Sequence, residues 1–144
     1  DYAHTPDAVK KVLEVLREVL RGQMRIITVI GCGGNRDKTK RPKMGQLAAR
    51  LSDIVFFTAD NPRNEDAQSI CQAMLDGVEL SSRSKCSIVV DRHEAIHKAV
   101  GEASPHDIVL VAGKGHETTQ VIGDKVLPFD DSQRLFDALK SVGL

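Results

Sequence analysis

The sequence predicts one three-layer α/β domain: a mostly parallel sheet with helices on both faces. Three observations predict it. Short, continuously apolar, β-branched runs recur at 26–30, 53–58, 87–90 and 107–112, as expected of strands buried on both sides. Stretches with helical spacing separate them, which is the alternation that builds parallel sheets. The 144 residues are enough for one well-developed core and too few for two ordinary domains.

The elements follow in order. Thr5-Pro6-Asp7 reads as a helix start, with Thr5 as cap, Pro6 in the first position and Asp7 at the positive end of the dipole. Val9, Val12, Leu13, Leu16, Val19 and Leu20 keep helical spacing, and Gly22 supplies the stop. The strand Ile26–Ile30 feeds a glycine turn, Gly31-Cys32-Gly33-Gly34. A helix over 44–51 leads to the strand at 53–58, and a helix over 65–75 to the strand at 87–90. Residues 92–103 are helical and 107–112 extended. The segment 119–127 reads as extended, with a hairpin turn at Gly123-Asp124, and 132–142 closes with a helix.

Composition excludes several classes. Lys+Arg and Asp+Glu both total 20, so no general attraction to nucleic acid or an anionic membrane is expected. With no Trp and 3% aromatics, base-stacking platforms are not expected either. No apolar run approaches a membrane span of roughly 20 residues. Asp1-Tyr2-Ala3-His4 resembles neither a signal peptide nor a natural start, so the chain reads as a trimmed domain. Three cysteines without CxxC spacing suggest neither a disulfide framework nor a zinc knuckle, and a reducing cytoplasm is the expected compartment.

In parallel α/β sheets ligands lie beyond the carboxyl ends of the strands, and there the chemically rich segments fall. Gly31 to Pro42 combines a tight glycine turn with Arg36, Lys38, Lys40 and Arg41, a setting for carboxylates or phosphates; a solvated basic loop is the bland alternative. It is not a dinucleotide fingerprint, because Arg36 stands where a third glycine is needed, and no P-loop pattern occurs anywhere. In Asp60-Asn61-Pro62-Arg63 the proline restricts Asn61 to extended geometry, and Arg63 offers a planar fork for a carboxylate. The same residues are also ordinary turn chemistry. Gly113-Lys114-Gly115-His116-Glu117 permits close backbone approach, with Glu117 able to accept from a ligand ammonium or to pair with a local cation.

His93-Glu94-Ala95-Ile96-His97 matches the zinc-protease helix H-E-x-x-H. The apolar stripe through Ala95, Ile96, Ala99, Val100 and Ala103 leaves both histidines at its margin and Glu94 toward solvent, with no third ligand evident. A structural helix is the expectation.

Together these segments resemble the C-terminal domain of the Mur ligases, most closely the branch that forms a UDP-linked muramoyl tripeptide. The resemblance runs from Asp1-Tyr2-Ala3-His4-Thr5-Pro6-Asp7 through Gly31 to Lys38, Lys40-Arg41-Pro42, Asp60 to Arg63, Asp91-Arg92 and Gly113 to Glu117, ending at Asp130-Asp131. It implies a Rossmann-like fold, with residues 1–144 forming one amino-acid-binding domain. The ATP-binding central and UDP-binding N-terminal domains of the family are absent.

The resemblance further implies meso-diaminopimelate as the amino acid, UDP-MurNAc-L-Ala-D-Glu as its acceptor, and ATP with Mg2+ held mainly by the central domain, against which this domain packs. By the same resemblance Arg36, Asp60, Asn61, Pro62, Arg63, Gly113 and Glu117 are substrate-binding, and Asp1 and His4 touch the nucleotide. No catalytic or metal-ligating residue is expected in the domain, and alone it is expected to be inactive. Two positions depart from the family pattern: Asn35 where Asp is common, and Thr119 where an aromatic usually precedes Gln120. The rival readings are a nicotinamide reductase, a zinc hydrolase, and a non-catalytic binding or scaffolding domain derived from a ligase.

Overall fold

The computed structural model describes residues 4–21 and 24–143. Thr5 caps the first helix, α1 (Pro6–Leu20), its Oγ1 accepting from the Ala8 N–H at 3.2 Å. The helix ends on Arg21 in the left-handed conformation (φ 52°); Gly22, the expected stop, lies outside the described residues. After β1 (Ile26–Ile30), α2 (Lys40–Leu51) begins four residues before the apolar pattern predicts. Pro42 sits in its first turn, where an N–H has no intrahelical carbonyl to meet, so the ring costs the helix nothing.

The chain continues through β2 (Ile54–Phe57) and α3 (Ala67–Asp76) to a 3-10 helix at Leu80–Lys85 that no periodicity announces. Then come β3 (Cys86–Ile88), α4 (Arg92–Glu102) and β4 (Ile108–Ala112), the hairpin β5 (Thr119–Ile122) and β6 (Lys125–Pro128), and α5 (Asp131–Ser141).

The four-stranded sheet is wholly parallel, in the order β3-β2-β1-β4, with Ile27 opposite Ile54 and Ile26 opposite Ile108. Alternate residues of β1 serve opposite faces. Ile26 and Ile30 pack with Val9, Leu13, Met44 and Met74 from α1, α2 and α3, while Ile27 and Val29 pack with Ala95, Ile96 and Ala138 from α4 and α5. Each such large aliphatic side chain, fully buried, contributes roughly 1.5–3 kcal/mol. The three layers are those the alternation predicts. Inside, Thr28 Oγ1 and Ser52 Oγ satisfy each other at 2.7 Å.

The hairpin forms its own two-stranded sheet and is tied to the β2–α3 loop by a β-bridge, Arg63 to Ile122, and by bonds involving the Asn61 and Gln120 side chains. The strand order places β2 on one side of β1 and β4 on the other. Connections therefore diverge at the carboxyl ends of β1 and β4, the switch point where such sheets open a crevice.

Candidate functional site

A cleft of about 440 Å³ occupies that crevice. Its walls come from three loops: β1–α2, β2–α3 and the segment after β4. Six of the seven residues expected at a substrate line it, Arg36, Asp60, Asn61, Arg63, Gly113 and Glu117, together with His4 at the foot of α1. Pro62 does not. It stands behind the wall, and Gly34 is pressed against it so closely that a Cβ there would fall 1.8 Å from the Pro62 carbonyl oxygen. Asp1 lies outside the described residues.

The glycine loop owes its course to such approaches. A Cβ on Gly31 would sit 2.5 Å from the Thr58 carbonyl oxygen, and the Gly34 N–H donates to the Asn61 carbonyl at 2.8 Å. Nor is the loop merely a solvated basic run. Arg41 is only 4% exposed; its guanidinium donates to both Glu65 oxygens (3.1 and 2.8 Å) and to the Gly33 carbonyl (3.1 Å). Glu65 also accepts from the Asn35 N–H, so the two loops are stitched together. Hydrogen bonds from the Arg41 side chain and the Asn35 backbone hold the Glu65 carboxyl down at about 2. Cys32 also lines the cleft, but burial pushes its thiol up to about 11, so it stays protonated and inert.

Arg63 adopts a positive φ of 52°, uncommon for a side-chain-bearing residue, and its backbone is pinned by the hairpin: its N–H donates to Val121 O at 3.0 Å. This turns the guanidinium toward the glycine loop. Nη1 donates to the Gly34 carbonyl at 2.9 Å and lies 3.0 Å from where a Gly33 Cβ would be. Nε and Nη2 have no protein partner among the described residues, which leaves one edge of the fork for a ligand. Arg36 is exposed, with Nη1 on the Asn35 carbonyl at 3.2 Å.

Across the cleft stand acceptors. Gly113 has φ 111°, a conformation that suits glycine, and its open side faces the Gly31 carbonyl. Glu117 is half-buried, and its carboxylate has no Lys or Arg within ion-pair distance among the described residues, against the local-pairing alternative. Asp60 Oδ1 is buried and lies 3.1 Å from Lys114 Nζ, at an angle that makes no hydrogen bond. The cleft thus sets guanidinium groups beside carboxylates, a pattern that fits a ligand carrying both signs of charge.

Two residues that hold the site together were not legible as such in the sequence. Lys114 is fully buried, donating to Asn61 Oδ1 and the Thr119 carbonyl, both at 2.9 Å. Arg92 is 1% exposed and grips Asp131 through two bonds of 2.8 and 2.7 Å. It also donates to the carbonyls of Ala59 (3.2 Å) and Ala112 (3.1 Å), the residues just before Asp60 and Gly113. The only sequence signal was that each lies inside a segment that carries the resemblance, Gly113 to Glu117 or Asp91-Arg92.

The H-E-x-x-H helix carries different contacts. His93 and His97 pack with ring centroids 4.3 Å apart and planes tilted by 51°, His93 Nδ1 faces Arg134 Nη1 at 3.3 Å, and Glu94 pairs with Lys98 at 3.4 Å. A guanidinium only donates, so it occupies the lone pair a metal would need. Among the described residues no group of three or more His, Cys, Asp or Glu is placed to hold a metal ion. No described helix is long and apolar enough to cross a membrane.

Comparison with known proteins gives these features a context. The family model described as "Mur ligase, glutamate ligase domain" matches residues 1–115. The UDP-N-acetylmuramoyl-L-alanyl-D-glutamate–2,6-diaminopimelate ligase of Cytophaga hutchinsonii is 52% identical over 99% of this chain and 29% of its own length. The ligase of the same name from Prochlorococcus marinus is 50% identical over 91% of the chain and 25% of its length. A solved structure of a ligase of that name superposes with a TM-score of 0.88 at 39% identity, covering all of this chain and 29% of that one. A murein peptide ligase from Psychrobacter arcticus shares the fold alone, with a TM-score of 0.65 at 17% identity over 96% of this chain and 26% of its own. The chain spans under a third of the length of each.

Proposed function

The chain belongs to the Mur ligase family, and on that premise we propose that it is the amino-acid-binding C-terminal domain of an ATP-dependent ligase. That ligase adds meso-diaminopimelate to UDP-MurNAc-L-Ala-D-Glu in cell-wall peptidoglycan synthesis, in the cytoplasm. One observation carries the reading: the cleft sets the open edge of the Arg63 guanidinium and exposed Arg36 across from Asp60 and from the Glu117 carboxylate, which has no Lys or Arg within ion-pair distance among the described residues. Diaminopimelate has an ammonium and a carboxylate at both ends, whereas lysine lacks the distal carboxylate. Arg63 and Arg36 take a carboxylate; Asp60 and Glu117 take ammonium groups.

The chemistry is amide formation. ATP bound by the rest of the longer protein would transfer its γ-phosphoryl group to the glutamate γ-carboxylate, releasing ADP. The neutral amine of diaminopimelate then attacks the acyl-phosphate carbonyl carbon, and the C–O bond breaks to release phosphate while the amine gives up a proton. This domain's part is to hold the two-headed amino acid in one orientation and deliver the amine, a proximity role. The Lys114 and Arg92 networks keep the loop ends rigid for that purpose. His4, at the cleft's edge beside Lys40, is assigned to the nucleotide side, as is Asp1. The domain carries no P-loop and packs against the central domain that supplies one.

The test is a phosphate-release assay on the full-length protein containing this domain. Turnover with meso-diaminopimelate and little or none with lysine is expected, and no turnover from residues 1–144 alone. Equal turnover with lysine would refute the substrate assignment, and phosphate release by the isolated chain would refute the division of labour.

A further inference from the structure

Two donors that cannot act as acceptors, the Lys114 ammonium and the Val121 backbone N–H, converge on one side-chain atom of Asn61, each at 2.9 Å. That atom is therefore the amide oxygen, whichever way an isolated amide might be drawn. The nitrogen must then take the other direction. Asn61 lines the cleft, and its Nδ2 has no protein partner among the described residues and is not among the buried orphaned atoms. The NH2 group is accordingly accessible, on a residue that lines the same cleft as Arg63.

We infer that Lys114 is a positioning residue that sets the polarity of the Asn61 amide, so that the cleft presents a neutral donor beside the Arg63 guanidinium and thereby selects a carboxylate. The inference rests on the function proposed above and deepens it. Lys114 is suited to the task. Its Nζ reaches Asn61 Oδ1, the Thr119 carbonyl and, at 3.1 Å, Asp60 Oδ1, binding the loop after β4 to both residues that begin the Asp60–Arg63 motif. Gln120, 8% exposed, adds a bond from its Nε2 to the Asp60 carbonyl at 2.9 Å, so the backbone beneath Asn61 is held as well. With oxygen inward and nitrogen outward, Asn61 adds two N–H donors to the carboxylate side of the cleft. Were the amide reversed, an oxygen would repel the carboxylate that Arg63 attracts.

Asn61→Asp tests this with the least disturbance. The inward oxygen still accepts from Lys114 and Val121, now as a charge-assisted pair, while the outward group changes from donor to acceptor. In the full-length protein, the KM for meso-diaminopimelate is expected to rise roughly 10- to 100-fold, with the KM for ATP unchanged. Isothermal titration with lysine, which has no distal carboxylate, is expected to show no comparable loss. Lys114→Met, which frees the amide to turn, is expected to raise the KM for diaminopimelate more than it lowers kcat, and an unchanged KM would refute the role of Lys114. If it fails to fold, Lys114→Gln, whose amide can still donate toward Asn61 Oδ1, takes its place, with a smaller rise in KM expected and an unchanged KM again refuting the role. Should Asn61→Asp use diaminopimelate as well as the parent, or lose lysine binding equally, the polarity inference is wrong and the proposed function stands. A parent protein that does not use diaminopimelate would overturn both.

Discussion

Arg92 is the side chain whose removal is expected to reach furthest. At 1% exposure it joins three separate pieces of the site's scaffold: the Ala59 carbonyl after β2, the Ala112 carbonyl at the end of β4, and Asp131 at the start of α5. Arg92→Met keeps much of the volume and removes all four bonds. Asp131, 5% exposed, is left as a buried carboxylate with no counter-charge. Breaking such a pair from one side costs about 3–5 kcal/mol, and the deprived carbonyls raise this to about 4–6 kcal/mol. Against a total stability of roughly 5–15 kcal/mol for a domain of this kind, that brings the fold near its limit.

With no Trp and one Tyr the chain is a poor fluorophore, so urea denaturation followed by far-ultraviolet circular dichroism is the suitable assay. The thermal midpoint is expected to drop by roughly 10–20 °C. Arg92→Met with Asp131→Asn should recover about half of the lost stability, because no buried charge is then stranded. A single variant within about 1 kcal/mol of the parent, or a double variant no better than the single, would refute the reasoning.

Further expectations follow from neighbouring features. The Glu65 carboxyl sits at about 2 instead of its ordinary 4.5, so its stabilisation is complete above pH 4.5 and is lost as pH falls toward 2. Asp37 and Asp107, also held low, add to the same acid slope, so Glu65→Gln should flatten only part of the fall in thermal midpoint between pH 5 and 2. An unchanged slope would contradict the Arg41–Glu65 account. Gly34→Ala must push the Pro62 backbone away, whereas Gly45→Ala collides with Met74 between α2 and α3. Both should destabilise by about 1–3 kcal/mol or more, but only Gly34→Ala should weaken diaminopimelate use beyond its effect on folding. His93→Ala with His97→Ala should leave metal content by elemental analysis and ligase turnover unchanged; stoichiometric zinc lost with the pair would revive the hydrolase reading.

Much of this architecture was legible because local chemistry and tertiary structure agree. The Thr5-Pro6 start of α1, the buried run of β1, the half-buried apolar run of edge strand β4, and the Gly123-Asp124 hairpin turn all stand where residue type alone places them. The convergence of Gly31, Asp60 and Gly113 could be anticipated because parallel strands expose their carboxyl ends on one edge. The start of α2 was missed because its first turn, Lys40-Arg41-Pro42-Lys43, has no apolar periodicity and contains a proline, though a first turn tolerates one. The buried charges were not legible for a different reason. Lys and Arg are ordinarily exposed, and only partners far along the chain show otherwise: Asn61 for Lys114, Asp131 for Arg92, Glu65 for Arg41.

The central claim is that the open edge of Arg63 grips the distal carboxylate of a two-headed amino acid. Isothermal titration of meso-diaminopimelate into the full-length protein and its Arg63→Ala variant, with lysine titrated in parallel, tests this most directly. The expected result is a loss of about 1.5–3 kcal/mol for diaminopimelate and almost none for lysine. Equal affinities of parent and variant for diaminopimelate, or an equal loss for both amino acids, would contradict it.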